Sequence, residues 1–265
     1  MSFINPSAAA TKLGVDMSAL VAVRDLRSEP SSFDLRYFVQ AAEEAGADVV
    51  TLAVDATSFK QKRADIDVII EAVTEVNFIM PLCREMIEFA GTVRPHSVCF
   101  AAPEIKHDGP YSDTSLQLIN DAVAYLQQQS VRVALALNMA TPQLQHQLQL
   151  QLQQAVDLGV STVEFNVSGV VHGDTRDQNL RYSILQTAVH HASQLGLTVN
   201  LAHGIDYNHV EQLAKIGEIA QLNVGHAIAV RAMAVGWITA VREMKAALVL
   251  AGASSMRQFN EYIAQ

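Results

Sequence analysis

The chain has 265 residues, half of them hydrophobic and 17% charged, with a formal net charge of -9. That is enough for one large core and suits a single α/β barrel better than two domains, so one domain over residues 1–265 is expected. The acidic balance, with no lysine-rich run or basic stripe, argues against nucleic acid or an anionic membrane as partner, and no apolar stretch is long enough to span a bilayer.

In chain order, the segment from Met1 to Thr11 is polar and small, without the charged start and apolar run of a secretion signal, and a cytoplasmic protein is the expectation. Short β-rich runs follow at Leu13–Met17, Asp48–Val54, Val76–Leu82, Ser97–Ala102, Arg132–Asn138, Thr162–Val167, Thr198–Ala202 and Gln221–Ile228. Their near-continuous apolar character suits strands covered on both faces, and the helical periodicity between most of them is the mark of βα units. Three helices are expected to exit alike, through Ala45-Gly46-Ala47, Leu158-Gly159-Val160 and Leu195-Gly196-Leu197, each launching a strand. Eight strands favour a closed (β/α)₈ TIM barrel over an open sheet, and neither a GxxxxGK[ST] loop nor a GxGxxG turn favours a nucleotide-binding sheet. Thr141 with Pro142 reads as a helix start, and the glutamine-rich tract Gln143–Gln154, with leucines at 144, 148 and 152, as a helix with one apolar stripe. Ala232–Leu250 reads as the last barrel helix, with Trp237 a core residue, and Ser254–Gln265 as a short extra C-terminal helix. Cys83 and Cys99 fall in apolar segments and offer neither a disulfide framework nor zinc-ligand spacing.

In such a barrel the reactive groups project from the carboxyl ends of the strands. The candidates there are Asp16, Ser18 and Arg24 after the first strand, Glu164 and Asn166 on the sixth, His203 with Gly204 after the seventh, and Gly225 with His226 after the eighth. Glycines that let backbone N–H groups approach an anion, followed by a helix N-terminus, suit a phosphate. The blander reading makes His203 and His226 loop-closing histidines and Glu164 a structural ion-pair partner. An unpaired inward carboxylate costs several kcal/mol, however, so Glu164 within Val163-Glu164-Phe165 points to a site. His172, Asp174 and Arg176 in a loop, and His190 with His191 on a helix, read as solvated positions. No HExxH-like spacing is present, and no metal is expected.

Val199-Asn-Leu-Ala-His203-Gly204 with Tyr207, Leu222-Asn-Val-Gly225-His226-Ala-Ile and Glu243-Met244-Lys245 resemble the C-terminal half of the pyridoxine 5'-phosphate synthase family. Leu13-Gly14-Val15 with Arg24, Ala41 to Asp48 and Val163-Glu164-Phe165 extend the resemblance to most of the chain. It implies condensation of 1-deoxy-D-xylulose 5-phosphate with 3-amino-2-oxopropyl phosphate, without metal or bound cofactor, in a homo-oligomer that is an octamer in the family.

The resemblance assigns the aminoketone phosphate to Arg24, Gly204, Gly225 and His226, with Asp16 where the family has asparagine. His203 matches the proton-donating histidine and Glu164 the glutamate that stabilises the transition state. The pentulose side differs. Ser18-Ala19 replaces an Asp-His pair, Ala53 and Asp55 replace a histidine and an arginine, Lys60 another histidine and Ile79 a glutamate base, while the sugar-phosphate threonine falls near Pro110 or Tyr111. Three functions fit: a synthase that recruits Asp55, Lys60 or Glu104 as bases, a divergent enzyme acting on another small phosphorylated ketone or aldehyde, and a non-catalytic relative that binds a phosphometabolite or regulates a true synthase.

Overall fold

A computed structural model describes residues 10–26, 33–56, 59, 63–101, 113–139, 145–172 and 177–263. Eight parallel strands, β1 (Lys12–Asp16), β2 (Val49–Ala53), β3 (Val76–Pro81), β4 (Ser97–Ala101), β5 (Arg132–Asn138), β6 (Thr162–Asn166), β7 (Thr198–Ala202) and β8 (Ile219–Val224), close into a barrel. Closure is made by β1 on β8, with Leu13 opposite Leu222 and Gly14 opposite Asn223. The sequence therefore gives the right architecture, a single (β/α)₈ TIM barrel.

The helices are α1 (Ser18–Asp25), α2 (Leu35–Glu44), α3 (Arg63–Ala72), α4 (Arg84–Val93), α5 (Asp113–Gln128), α6 (Gln145–Asp157), α7 (Ser168–Val171), α8 (Gln178–Gln194), α9 (Val210–Ala214), α10 (His226–Val235) and α11 (Trp237–Ile263). Three of them, α1, α7 and α10, are additional to one helix per strand. Each starts within two residues of the end of β1, β6 or β8, so together they build up the carboxyl face on one side. The glutamine-rich tract is the helix α6, with Leu148 and Leu152 buried. Its expected start at Thr141-Pro142 lies outside the described residues.

The three expected helix exits share one hydrogen-bond pattern: Ala47 N–H to Ala42 O at 2.9 Å, Val160 to Ala155 at 3.0 Å and Leu197 to Ala192 at 3.0 Å, each wrapping a positive-φ glycine. A fourth exit of the same kind, Val131 N–H to Leu126 O at 3.0 Å, has Ser130 at the left-handed position, with φ 62°. Reading glycines alone misses it. The first exit is also a packing site. A Cβ on Gly46 would stand 2.9 Å from Lys245 Cγ, and the Lys245 ammonium reaches Asp48 Oδ2 at 2.5 Å. The Ala41–Asp48 and Glu243–Lys245 motifs thus meet, and they tie α11 to the start of β2.

Strand β8 ends at Val224 and Gly225 caps α10, so the chain leaves the sheet at the glycine expected to follow the eighth strand, although the β-rich run continues to Ile228. The helix expected over Ala232–Leu250 breaks at Gly236, φ 84°, and the expected extra C-terminal helix is the continuation of α11 to Ile263. Trp237 is 7% exposed, its indole N–H donating to Phe38 O at 2.9 Å, so it is the expected core residue.

Most of the core lies between barrel and helices, but the lumen is partly polar. Thr51, Asn77, Glu164, Gln221 and Asn223 are all buried. Contacts among β4, β6 and β8, which are not neighbours in the sheet, cross this lumen.

Candidate active site

A pocket of about 500 Å³ opens at the carboxyl ends of β1, β7 and β8. Its walls include Asp16, His172, His203, Gly204, Asp206, Tyr207, Gly225, His226 and Arg231, with Asn223 at its floor and Ile79 on the far side. Two strand ends are built alike. Asp16 Oδ1 accepts from the Ser18 N–H at 2.9 Å and hydroxyl at 2.5 Å, and Asn166 Oδ1 accepts from the Ser168 N–H at 3.1 Å and hydroxyl at 2.8 Å. Each short polar residue thereby turns the chain from strand into helix. Ser18 Oγ also accepts the Ala53 N–H at 2.9 Å, so a position of the expected pentulose site is here a brace between β1 and β2.

The start of α10 opens into the pocket. Its first intrahelical bond at this end is Ala229 N–H to Gly225 O at 3.0 Å, which leaves the N–H groups before it free. Gly225 is required by close approach, since a Cβ there would lie 2.9 Å from both Cβ and carbonyl O of Asp16. Opposite, His203 and Gly204 both have left-handed backbone, φ 65° and 77°, which swings the exposed His203 over the pocket at the end of β7. A histidine in that region costs about 1 kcal/mol or more and is held there by the surrounding loop. Burial pushes the Asp16 carboxyl up, the Ser18 hydrogen bonds and the nearby His203 opposing it.

Below the pocket lies a second polar layer. Asn223 Nδ2 donates to Glu164 Oε2 at 2.5 Å, Gln221 Nε2 donates to Asn223 Oδ1 at 2.7 Å, and the Cys99 thiol donates to Glu164 Oε1 at 3.6 Å. Burial drives the Glu164 carboxyl up to about 7; the Asn223 and Cys99 hydrogen bonds oppose this, and the charge of Asp16 adds to it. Gly14 makes the arrangement possible, because a Cβ there would stand 1.9 Å from Asn223 Oδ1. Glu164 itself faces a cavity of about 370 Å³ at the amino end of the barrel, and Asn223 stands between it and the upper pocket.

Of the residues singled out from the sequence, Asp16, His203, Gly204, Gly225 and His226 converge on the pocket, and Glu164 lies one layer beneath. Arg24 goes elsewhere. Its guanidinium makes a two-pronged pair with Asp65 at 2.7 and 2.8 Å and a further contact with Asp25 at 2.6 Å. The cation that does line the pocket is Arg231, paired with Glu243 at 2.8 Å. Lys60, Glu104, Pro110, Tyr111, Asp174 and Arg176 lie outside the described residues.

Asn223 was visible within the Asn-Val-Gly-His motif, but its partner Glu164 is 59 residues away and nothing local links them. His172 was read as solvated; it is exposed, and it lines the pocket. Tyr207 is structural, its hydroxyl donating to Ala240 O at 2.8 Å and its acidity lowered by burial, to a pKa of about 12. Among the described residues no group of three or more His, Cys, Asp or Glu is placed to hold a metal, and no helix is long and apolar enough to cross a membrane.

A family model described as pyridoxal phosphate biosynthesis protein PdxJ matches residues 13–249. A pyridoxine 5'-phosphate synthase of Magnetococcus marinus is 32% identical over 245 residues, covering 88% of this chain and 95% of that one. Its counterpart in Neisseria meningitidis is 30% identical, covering 89% and 96%, and that of Prochlorococcus marinus 28%, covering 90% and 98%. Among solved structures, a putative fructose-1,6-bisphosphate aldolase of Coccidioides immitis superposes with TM-score 0.54 at 14% identity, over 90% of this chain and 87% of that one. A mandelate oxidase variant does so with TM-score 0.55 at 16% identity, over 91% and 74%. These two likenesses speak for the barrel fold alone.

Proposed function

Because the chain belongs to the pyridoxal phosphate biosynthesis protein PdxJ family, we propose that it is a pyridoxine 5'-phosphate synthase-like enzyme of vitamin B6 biosynthesis that binds 3-amino-2-oxopropyl phosphate in the carboxyl-end pocket. The observation that carries this reading is the convergence of His203, Gly204, Gly225 and His226 on one cavity over a buried carboxyl layer. The phosphate lies at the N-terminus of α10, with Gly204 opposite and Arg231 as the cation along the same wall. Asp16, a carboxylate where the family has asparagine, suits the ammonium end of the aminoketone. His203 is the proton donor to the departing oxygen. Glu164 acts as a positioning group through Asn223, whose side-chain orientation it fixes.

A second reading is favoured by the opposite wall. Ala53 and Ile79 stand where the family resemblance places bases, so a smaller phosphorylated carbonyl compound could replace the pentulose, or the protein could bind its ligand without turnover. Titration with 3-amino-2-oxopropyl phosphate and with 1-deoxy-D-xylulose 5-phosphate separately, then a product assay with both, decides. Binding of both with pyridoxine 5'-phosphate formed supports the synthase; binding of the aminoketone alone, without product, moves the function to the second reading.

The family also implies a cytoplasmic homo-oligomer. In support, α1 packs on α10 and leaves Val23, Leu26, Val230 and Met233 exposed beside the pocket. Sedimentation should find an assembly that Leu26→Lys with Met233→Lys weakens.

A further inference from the structure

The structure assigns His172, at the end of α7, as a further ligand-facing residue of the pocket, its ring set by His209 and Asp206; the assignment rests on the phosphate-pocket part of the proposed function. Three observations carry it. His172 lines the same cavity as His203 and His226. Its ring is fixed on two sides: His209 meets it edge-on, with centroids 5.4 Å apart and planes at 89°, and Gly204 leaves it space, since a Cβ there would lie 3.0 Å from His172 Cδ2. Among the described residues no side chain takes either of its ring nitrogens, so both remain available to a ligand.

The support continues behind it. His209 Nδ1 is sealed from solvent and lies 2.7 Å from Asp206 Oδ1, in close contact without the alignment of a hydrogen bond. Asp206 is itself held, Oδ1 accepting the backbone N–H groups of Asn208 at 2.8 Å and His209 at 3.2 Å. A chain from loop backbone through Asp206 and His209 thus orients an exposed imidazole towards the cavity. Such support reduces the freedom lost when a side chain meets its ligand. The chemistry it suits is an oxygen of a phosphorylated ligand, either phosphate or carbonyl, across from the wall where Ile79 offers no polar group.

Carbethoxylation of the full chain, read peptide by peptide by mass spectrometry, reports each histidine separately. With saturating inorganic phosphate, His172 and His226 should react about tenfold more slowly, a difference of about 1.4 kcal/mol, while His190, exposed on α8, keeps its rate. Protection of His226 without His172 overturns the assignment. Protection of neither overturns it together with the phosphate pocket. Protection of both in a protein that forms no product leaves the assignment standing and removes only the synthase reaction.

For the orienting pair, His209→Ala should raise the reactivity of unliganded His172 about threefold, and His209→Phe, which keeps an aromatic edge, should restore it. An unchanged rate in His209→Ala removes His209 from the role.

Discussion

The carboxyl mouth of this barrel has two unlike sides. Around β6, β7, β8 and β1 stand Asp16, Asn166, His172, His203, Asp206 and His226, with Glu164 and Asn223 beneath. Around β2, β3 and β4 a neighbouring depression of about 670 Å³ is walled by Leu52, Ala53, Val54, Ile79, Met80, Pro81 and Ala101, with Ser18, Asp25 and the candidate base Asp55 as its polar residues. On the first side three extra short helices turn the strand ends inward and hold polar groups in fixed positions; β2, β3 and β4 are followed by none of these. The distribution of polar side chains therefore differs across one ring of strands that share the same parallel pairing.

The sharpest way to break the comparison is to remove His203, the proton donor we propose on the polar side. His203→Ala should lower the rate of product formation by about 100- to 10,000-fold, with an unchanged denaturant midpoint. A loss of less than about tenfold would place the chemistry on the other side.

Next in size is Gly14→Ala. Its methyl enters the space of Asn223 Oδ1 and forces apart the layer under the pocket, at a cost of about 3 kcal/mol in chemical denaturation.

The same layer makes stability depend on pH. Folding raises the Glu164 carboxyl from 4.5 to about 7, so the folded state binds the proton more tightly than the unfolded one. The contribution of this group to stability is therefore greatest below pH 4.5 and falls as pH rises through about 7, by on the order of 3 kcal/mol. Glu164→Gln, which keeps an acceptor for Asn223, should flatten that fall and leave the variant more stable than the parent at pH 8.

The smallest effect separates two arginines. Arg231→Ala should weaken inorganic phosphate binding about tenfold by calorimetry. Arg24→Ala should leave it unchanged, because its charge is already taken by Asp65 and Asp25.

Strand number, parallel order and the glycine exits were legible because each rests on a local pattern: apolar runs of strand length, helical periodicity, and glycine at a left-handed turn. His203, Gly204, Gly225 and His226 were legible as well, being strand-end residues next to glycine, and a strand end in a barrel always faces the same mouth. Ser130 hid one exit because a serine carries no such signal. The ion pairs of Arg24 with Asp65 and Asp25 were not legible, because a position after β1 says nothing of where a long side chain ends.

What the sequence by itself determined is thus the barrel and the strand ends that could carry chemistry, since both follow from periodicity and from short-range backbone geometry. The tertiary structure alone decided that Asn223 stands between Glu164 and the pocket, that Gly14 clears the space for it, and that His172 lines the pocket with His209 behind it. Those contacts join residues from different strands and loops across the lumen and the mouth, and their distances are set by closure of the sheet rather than by spacing along the chain.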